Sequence, residues 1–435
     1  MKFLTTIVFI FAFIANAEPA KLMGYYPDWG KWMTPKYTVD KIPYEKLTHI
    51  LWSFVSPNAD GSLRGDAVDS PTDLDSMVSL AHKANTKVIL SLGGAGLCEN
   101  FAAVSASESL RAIFINNLIS FVNAHHLDGL DLDWEYSSVP VPAADTSAYT
   151  KLVHDLRAAL PKDKSLSAAV PCSPYYGKYF SVEGFIDDLD WIGFMTYDIT
   201  GSWDDIARFN SPLYPNPPNT TWSWEETATY WSGRNIDVSK MVFGFASFGF
   251  DFGAATGPAS SFNSNDVTYT SFAEVSKNPS WIIYFDSIAK VPYGISENRF
   301  VTFDNPESAA AKAEFVKENH YAGIMIWEIS LDYIENEPQK NIEALASSLF
   351  GTSNAMIMQP IEKTPWLSYK NGLFMTNSNK HAFEVQIKTV NGKTIESFTL
   401  KTGKSVSLKK IPAGNYIAVS KYGRLNLSIG TQIFE

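Results

Sequence analysis

Between residues 22 and 328, short apolar runs alternate with helical stretches, and this rhythm constrains the fold more than any other feature. The runs predict strands at 22–26, 49–55, 87–94, 128–136, 166–170, 191–198, 241–247 and 323–328. Strands that alternate with helices form a parallel, helix-covered sheet, and eight of them favour a closed (β/α)8 TIM barrel. An open doubly wound sheet is the alternative, but no Gly-rich phosphate loop follows the first predicted strand.

Residues 108–125 show a clear helical pattern. Apolar residues recur at positions 110, 113, 114, 118 and 121, which lie on one face of a helix. Ser105 and Glu108 have the spacing of a capping box, so Ser105 is the predicted N-cap of this helix. Further helices are predicted at 74–84 and 148–160.

Three carboxylates, Asp131, Asp133 and Glu135, alternate in the fourth predicted strand with two leucines and a tryptophan. Strand side chains alternate between faces, so the three acids project to one side, roughly 6–7 Å apart. Like charges in a row are unfavourable on a sheet, which indicates a functional use. A solvated edge strand is the other interpretation, but the apolar face between the acids must be buried. Asp128 is off the alternation, and we expect it to support the start of the strand.

Four polar or aromatic residues fall at the carboxyl ends of predicted strands. They are Glu135, Tyr197, Asp198 and Trp327. The active site of a (β/α)8 barrel lies at these strand ends, so we expect the four side chains to converge on one cleft.

The acidic strand also carries a family resemblance. Its pattern, Asp128-x-x-Asp131-x-Asp133-x-Glu135, resembles the DxxDxDxE signature of glycoside hydrolase family 18, which includes many chitinases. The similarity extends over about residues 22–350 and includes other family motifs: an SxGG strand at 91–94, an MTYD segment at 195–198 with its following 201–203 and 210–214, and the final strand at 323–327.

The resemblance implies a secreted chitinase that cleaves β-1,4 bonds between N-acetylglucosamine units with retention. This family is an exception to the two-carboxylate mechanism, because the N-acetyl carbonyl of the substrate attacks and forms an oxazolinium ion. Glu135 would protonate the leaving oxygen and then activate water. Asp133 would orient the acetamido group, and Tyr197 would hydrogen-bond its oxygen. We expect Asp131 and Asp133 to share a proton in the dry barrel.

The resemblance also implies substrate contacts around this centre. Asp198 would contact the distorted sugar, and Trp327 would form the floor beneath it. Tyr25 and Trp29 would line outer subsites, with core packing as an equal alternative. The remaining expected substrate-binding residues are Met195, Trp203, Gly93 and Gly94.

Two segments depart from the family pattern. Ala95 stands where many members carry Trp, so stacking on the leaving-group side is expected to be weaker. Residues 244–250 run G-F-A-S-F-G-F, where the family often has Tyr-Gly-Arg. The chain therefore lacks polar contacts there, and its substrate length and cleavage pattern stay open.

Two further units are predicted outside the strand–helix rhythm. Residues of about 250–303 are too many for a βα connection and predict a small α+β insertion. Residues 351–365 are a predicted linker, and 366–435 a C-terminal β-sandwich with a hairpin signal at 391–392. The net charge of this tail is near +7, and that of the rest of the chain is near −18. Its Pro-x-Gly-x-Tyr at 412–416 resembles bacterial sorting domains; a carbohydrate-binding module and an inert spacer are alternatives.

The sequence also predicts the location and partners of the protein. Residues 1–17 have the pattern of a signal peptide, with the mature chain starting near Glu18, and no other apolar run could span a bilayer. We expect an extracellular protein, with attachment to the cell surface through the tail as an option. A net charge of −11 and a pI near 5.2 argue against nucleic acid or anionic membranes and favour a neutral substrate. The family resemblance implies that this substrate is chitin or chitooligosaccharides.

The chain has two cysteines, Cys98 and Cys172. They could form one disulfide, but the sequence does not establish the pairing. Neither belongs to a zinc motif. We expect no metal and no cofactor, and a monomeric protein.

Two other functions remain open. One is an endo-β-N-acetylglucosaminidase that acts on N-glycans, and the insertion argues against it because a walled cleft suits a linear polymer. The other is a catalytically silent chitin lectin on the same fold, and the presence of Glu135 argues against it.

Overall fold

The computed structural model describes residues 20–351 and, in the tail, 367–370, 374–377, 383–389, 393–401, 405–407, 414–420 and 423–429. The predicted signal peptide at 1–17 and residues 352–365 of the predicted linker lie outside these ranges. Within the described residues, none of the helices has both the length and the apolar character that a membrane span requires.

The strands from residue 20 to 351 are β1 (Lys21–Pro27), β2 (His49–Pro57), β3 (Leu63–Arg64), β4 (Lys87–Gly93), β5 (Gly129–Asp133), β6 (Ser165–Pro171), β7 (Trp191–Met195), β8 (Met241–Ala246), β9 (Phe248–Asp251), β10 (Thr268–Ser271), β11 (Ile282–Asp286), β12 (Val291–Ser296), β13 (Arg299–Thr302) and β14 (Gly323–Trp327). The α-helices are α1 (Asp66–Asp69), α2 (Thr72–Lys83), α3 (Phe101–Ala106), α4 (Glu108–Ala124), α5 (Ala143–Ala159), α6 (Pro174–Gly177), α7 (Trp224–Ser232), α8 (Phe272–Lys277), α9 (Pro306–Glu318) and α10 (Lys340–Phe350).

Eight parallel strands form a closed barrel. Their order is β1-β14-β8-β7-β6-β5-β4-β2, and β2 pairs with β1 to close the ring. This arrangement confirms the (β/α)8 prediction and excludes the open doubly wound sheet. It also places the ends of β5, β7 and β14 at one mouth of the barrel.

The layer between strands and helices explains the apolar half of β5. Leu130 and Leu132 are fully buried in the main hydrophobic core. Trp134 follows them and packs against Phe101 of α3 and Tyr149 of α5, with ring centroids 5.4 and 5.5 Å away. Burial of this face under the helices leaves the acidic face for the barrel interior.

The start of β5 is held by Asp128, as predicted. Its Oδ2 accepts the backbone N–H of Val88 at 2.8 Å and lies 2.8 Å from His82 Nε2. The carboxylate thus ties β5 to β4 and α2 at the end of the barrel away from the mouth.

The capping box predicted at Ser105 and Glu108 is wrong. Ser105 lies in α3, and the N-cap of α4 is Ser107, whose Oγ accepts the N–H of Leu110 at 3.4 Å. The spacing rule failed because a second short helix ends immediately before α4.

An α+β insertion follows β8, within the predicted range of about 250–303. Its five strands form an antiparallel sheet in the order β10-β9-β13-β12-β11. Helix α8 begins with a capping box in which Ser271 and Glu274 bond reciprocally. Because β9 starts only two residues after β8 ends, this lobe stands at the barrel mouth.

The described parts of the tail are all-β. Strands β15 (Leu367–Lys370), β16 (Phe374–Asn377) and β19 (Ser405–Ser407) form one antiparallel sheet, and β17 (Phe383–Thr389), β18 (Thr394–Leu400), β20 (Gly414–Ser420) and β21 (Gly423–Ile429) form another. The two sheets agree with an all-β tail, and their packing into a sandwich stays a prediction.

Candidate active site

Asp131 lies inside the barrel in a cage of hydroxyl groups. Ser91 of β4 and Ser167 of β6 stand beside it in register and donate to its carboxylate at 2.8 and 2.6 Å. Tyr25 donates from β1 at 2.9 Å. Since β1 is not a neighbour of β5, the phenol reaches Asp131 across the interior of the barrel.

Asp133 is buried next to this cage without comparable partners. Its Oδ1 has no hydrogen-bond partner among the described residues. Burial, then the charge of Glu135, then that of Asp131 raise the pKa of Asp133 well above its usual range. Burial also raises the pKa of Asp131, but its three hydroxyl donors oppose that rise. The three hydroxyl donors therefore stabilise the charged form of Asp131, whereas the surroundings of Asp133 disfavour its charged form.

Glu135 lies two residues beyond the end of β5 and is partly exposed at the mouth. Its backbone N–H donates to Cys98 Sγ at 3.3 Å, and the Cys98 thiol donates to the carbonyl of Gly94 at 3.3 Å. Burial raises the pKa of Glu135 above that of an ordinary glutamate. A carboxyl whose pKa is raised and which still meets solvent is suited to general acid catalysis.

Gly93 and Gly94 allow β4 to approach β5 beside the acids. Both have positive φ, at 111° and 84°. A Cβ on Gly93 would lie 2.3 Å from the carbonyl oxygen of Asp133, and one on Gly94 would lie 2.5 Å from the ring of Phe54. The Gly94 N–H donates to the Asp133 carbonyl at 2.8 Å. These contacts position the backbone that carries the acids.

Tyr197 and Asp198 follow β7 at the same mouth. Asp198 has a left-handed backbone, with φ of 54°, and its N–H donates to Asn210 Oδ1 at 3.0 Å. Surrounding protein, and then the charge of Glu135, raise the pKa of Asp198 to about 7. Its side chain is open to the cleft, so water moderates this rise.

Trp327 is a partly exposed ring at the end of β14. Its centroid lies 5.7 Å from that of Phe54, 5.5 Å from Tyr25 and 6.3 Å from Trp29. Met195 and Trp327 pack against the same cluster of buried apolar residues. Tyr25 was expected either to line an outer subsite or to pack in the core. Its burial and its hydrogen bond to Asp131 favour a position in the core beneath the site. Trp203 is 64% exposed and meets Phe250 edge-on at 6.3 Å.

A buried polar network behind Tyr197 and Asp198 was missed from the sequence. Asn210 donates its backbone N–H to Thr302 Oγ1 at 2.9 Å, so it links the β7 end to the insertion. Ser211 Oγ donates to the carbonyl of Thr196 at 2.6 Å and accepts from Lys312 Nζ at 2.9 Å. The only sign of this network in the sequence is the resemblance of residues 210–214 to a family motif. That motif does not show which groups these residues contact.

The ammonium of Lys312 is itself fully buried. It donates to both oxygens of Asp304, at 2.6 and 2.8 Å. Burying this charge is tolerable because it is paired and hydrogen-bonded, and removal of either partner would leave an uncompensated ion.

The two cysteines do not form a disulfide, since Cys98 and Cys172 are both free thiols. Burial is the main cause that raises the pKa of each to about 12. Among the described residues, no group of three or more His, Cys, Asp or Glu side chains is arranged to hold a metal ion.

A partly exposed acid above two buried aspartates lies at the mouth of a (β/α)8 barrel, where enzymes of this fold carry their active sites. The sequence model of the glycosyl hydrolases family 18 matches residues 21–332. The chain belongs to that family.

Individual relatives agree with this assignment. A probable endochitinase of Caenorhabditis elegans is 29% identical over 73% of this chain and 58% of its own length. An endochitinase of Manduca sexta is 28% identical over 73% of this chain and 65% of its own length. The chain thus spans about three fifths of these curated relatives.

A solved structure is similar as well. It is a mutant of the Ostrinia furnacalis Group II chitinase catalytic domain 2 in complex with penta-N-acetylchitooctaose. The TM-score is 0.70 at 26% identity, over 77% of this chain and 97% of that one.

Proposed function

We propose that this protein is a chitinase that hydrolyses β-1,4 bonds between N-acetylglucosamine units with retention. The observation that carries the proposal is the unequal environment of the three acids. Asp131 is held as an anion by three hydroxyls, Asp133 is buried and pushed toward its protonated form, and Glu135 meets the cleft. Neither member of the buried pair is placed as a free carboxylate nucleophile, so the nucleophile is the acetamido group of the substrate.

Glu135 acts twice in this scheme. In the first step it protonates the glycosidic oxygen while the acetamido carbonyl oxygen bonds to the anomeric carbon. The leaving sugar departs as an alcohol, and an oxazolinium ion remains. In the second step the Glu135 carboxylate removes a proton from water, which attacks the anomeric carbon and opens the ring. Two inversions give net retention.

Asp133 manages the charge that develops on the acetamido group. Its free Oδ1 is available to accept the acetamido N–H. As positive charge grows on the oxazolinium ring, Asp133 ionises by passing its proton to the neighbouring carboxylate of Asp131, and its negative charge offsets that of the ring. The proton returns to Asp133 when the product leaves.

Tyr197, Asp198 and Trp327 hold the reacting sugar. The phenol of Tyr197 supports the carbonyl oxygen in its attack geometry, Asp198 contacts the sugar, and Trp327 lies beneath it. Orientation of this kind lowers the entropy lost on reaching the transition state.

The substrate class is supported by two observations. An insertion at the mouth walls one side of the cleft, which suits a linear chain of sugars. The similar Ostrinia furnacalis domain is in complex with penta-N-acetylchitooctaose. Neither observation favours a branched N-glycan.

Replacing Glu135→Gln tests the proposal. Loss of the proton donor should lower kcat on chitooligosaccharides about 10²- to 10⁴-fold, while their dissociation constant stays within a few-fold. The matched control is Glu318→Gln, an exposed glutamate at the end of α9 that leads to the opposite end of the barrel. Unchanged turnover by Glu135→Gln would contradict the proposal.

The same assay separates the alternatives through the unsubstituted protein. A chitinase releases sugars from chitin, a glycoprotein endoglycosidase releases them from an N-glycoprotein, and a lectin binds chitin without releasing either.

A further inference from the structure

The insertion side of the cleft differs from the family pattern where β9 leaves the barrel. Phe248-Gly249-Phe250 occupies the place where the family often has Tyr-Gly-Arg. Phe248 is buried and meets the ring of Tyr197 edge-on, with centroids 5.6 Å apart. Apolar rings therefore stand beside a residue of the active site, at two positions where a polar side chain could bond a sugar.

Tyr269 covers these rings from the neighbouring strand. It stands opposite Phe250 in the β9–β10 ladder. Its ring stacks on Phe248, with centroids 4.9 Å apart and an interplanar angle of 16°, and meets Phe250 edge-on at 6.2 Å. Yet 52% of Tyr269 stays exposed. A tyrosine packed on one face and open on the other offers a ring and a hydroxyl to a ligand.

The location of β10 places this exposed side at the barrel mouth. β10 is an edge strand of the lobe sheet. Directly after it, the Phe272 N–H donates to the carbonyl of Ser247 at 2.9 Å, which ties the end of β10 to the end of β8. Tyr269 and Tyr197 thus contact the same ring, that of Phe248, with centroids 4.9 and 5.6 Å away.

We propose that Tyr269 binds a sugar unit of the substrate and supplies the polar group that Phe248 and Phe250 cannot offer. This inference rests on the proposed function. The phenol donates to, or accepts from, a hydroxyl or acetamido group of the bound chain, and its ring packs against the sugar. Tyr269 is a binding residue that sets affinity and takes no part in bond cleavage.

The surrounding charges agree with this role. After burial, Glu328 and Asp198 are the largest causes that raise the pKa of Tyr269. The phenol therefore keeps its proton from acidic to mildly alkaline pH and remains a donor. The effect of Asp198 on this pKa also indicates that the phenol lies near the proposed position of the reacting sugar.

An ordinary surface tyrosine of the same lobe provides the control. Tyr284 is 46% exposed and stacks on Tyr293, with centroids 5.4 Å apart and an interplanar angle of 19°. It lies on β11, the opposite edge of the five-stranded sheet. Tyr269 and Tyr284 match in exposure and stacking and differ in their position relative to the mouth.

The experiment measures kcat and KM on tetra-N-acetylchitotetraose and hexa-N-acetylchitohexaose for Tyr269→Phe, Tyr269→Ala, Tyr284→Phe and Tyr284→Ala. Tyr269→Phe keeps the ring and removes one hydrogen bond, so KM should rise about three- to tenfold with kcat within about twofold. Tyr269→Ala should raise KM further because the ring is removed. Both Tyr284 variants should match the unsubstituted protein. Partial misfolding would lower the apparent kcat instead of raising KM.

Titration of hexa-N-acetylchitohexaose into Glu135→Gln, with and without Tyr269→Phe, measures the dissociation constant without turnover. It should show the same weakening of binding as KM. An unchanged KM and dissociation constant for Tyr269→Phe in an active protein would overturn this inference alone. An equal weakening in the Tyr284 variants would overturn it as well. If the unsubstituted protein neither hydrolyses nor binds these sugars, the proposed function fails and this inference with it.

Discussion

At the residue scale, the three acids of β5 differ in their neighbours more than in their chemistry. Alternation predicted that they share a face, and the family resemblance implied their roles. Neither identified the cage around Asp131, because Tyr25, Ser91 and Ser167 are 106, 40 and 36 positions away in the chain. Strand register brings them together, and register depends on the closed barrel. In our proposal the proton that this pair is expected to share rests on Asp133 before the reaction, because the three hydroxyl donors all bond Asp131.

Buried carboxyls with raised pKa values predict how stability depends on pH. Burial raises the pKa of Glu328 to about 7, although Ser330 donates its N–H and hydroxyl to it at 2.7 Å each. Asp332 is raised to about 7 in the same way. The pKa values of both carboxyls in the folded protein thus lie above those in the unfolded chain, which are near 4. Their contribution to the free energy of unfolding is therefore complete below about pH 4 and is lost as pH rises through 7.

The melting temperature should therefore fall from pH 5 to pH 8, and Glu328→Gln should make that fall shallower by a few degrees. Calorimetry across this range measures it, with Glu318→Gln as the control at an exposed position. A slope identical to that of the unsubstituted protein would show that Glu328 is already ionised in the fold.

At the element scale, the sequence predicted the eight barrel strands because their apolar runs are bounded by helical patterns. It also placed the insertion, from its length alone. The order of the strands in the insertion was not predictable, because its sheet depends on one distant pairing, that of β9 with β13, where Val301 stands opposite Asp251. Side chains outside the barrel strands, such as Asn210 and Tyr269, were missed because their sequence pattern does not show which strand end they cover.

The connection after β7 carries a prediction of its own. Asn210 holds the left-handed peptide of Asp198, so Asn210→Ala should let that peptide relax and misplace Tyr197 and Asp198. We expect kcat to fall about ten- to a hundredfold, with a smaller change in KM.

The control is Thr86→Val, just before β4 at the opposite end of the barrel. Thr86 Oγ1 donates to the carbonyls of Tyr44 and Leu47 at 2.7 and 3.0 Å, so its loss also removes buried side-chain bonds to backbone. This variant should lower the melting temperature and leave kcat unchanged. If both variants lost the same amount of kcat, Asn210 would act only by stabilising the fold and would not position Tyr197 and Asp198.

At the scale of the whole molecule, the barrel and the insertion divide the work. The barrel supplies a buried acid pair and an exposed proton donor, and the insertion supplies one wall of the cleft. The basic tail, near +7 beside a remainder near −18, contributes no side chain to this account, and its proposed roles stay predictions. The central claim is that the protein provides no nucleophile and that the substrate does.

Digestion of partially N-deacetylated chitin tests this claim most directly. If the acetamido carbonyl is the nucleophile, cleavage requires N-acetylglucosamine on the non-reducing side of the broken bond. Mass-spectrometric sequencing of the products should find N-acetylglucosamine at every new reducing end. Glucosamine at those ends, in the proportion present in the polymer, would contradict the account, because glucosamine has no acetamido group to act as the nucleophile.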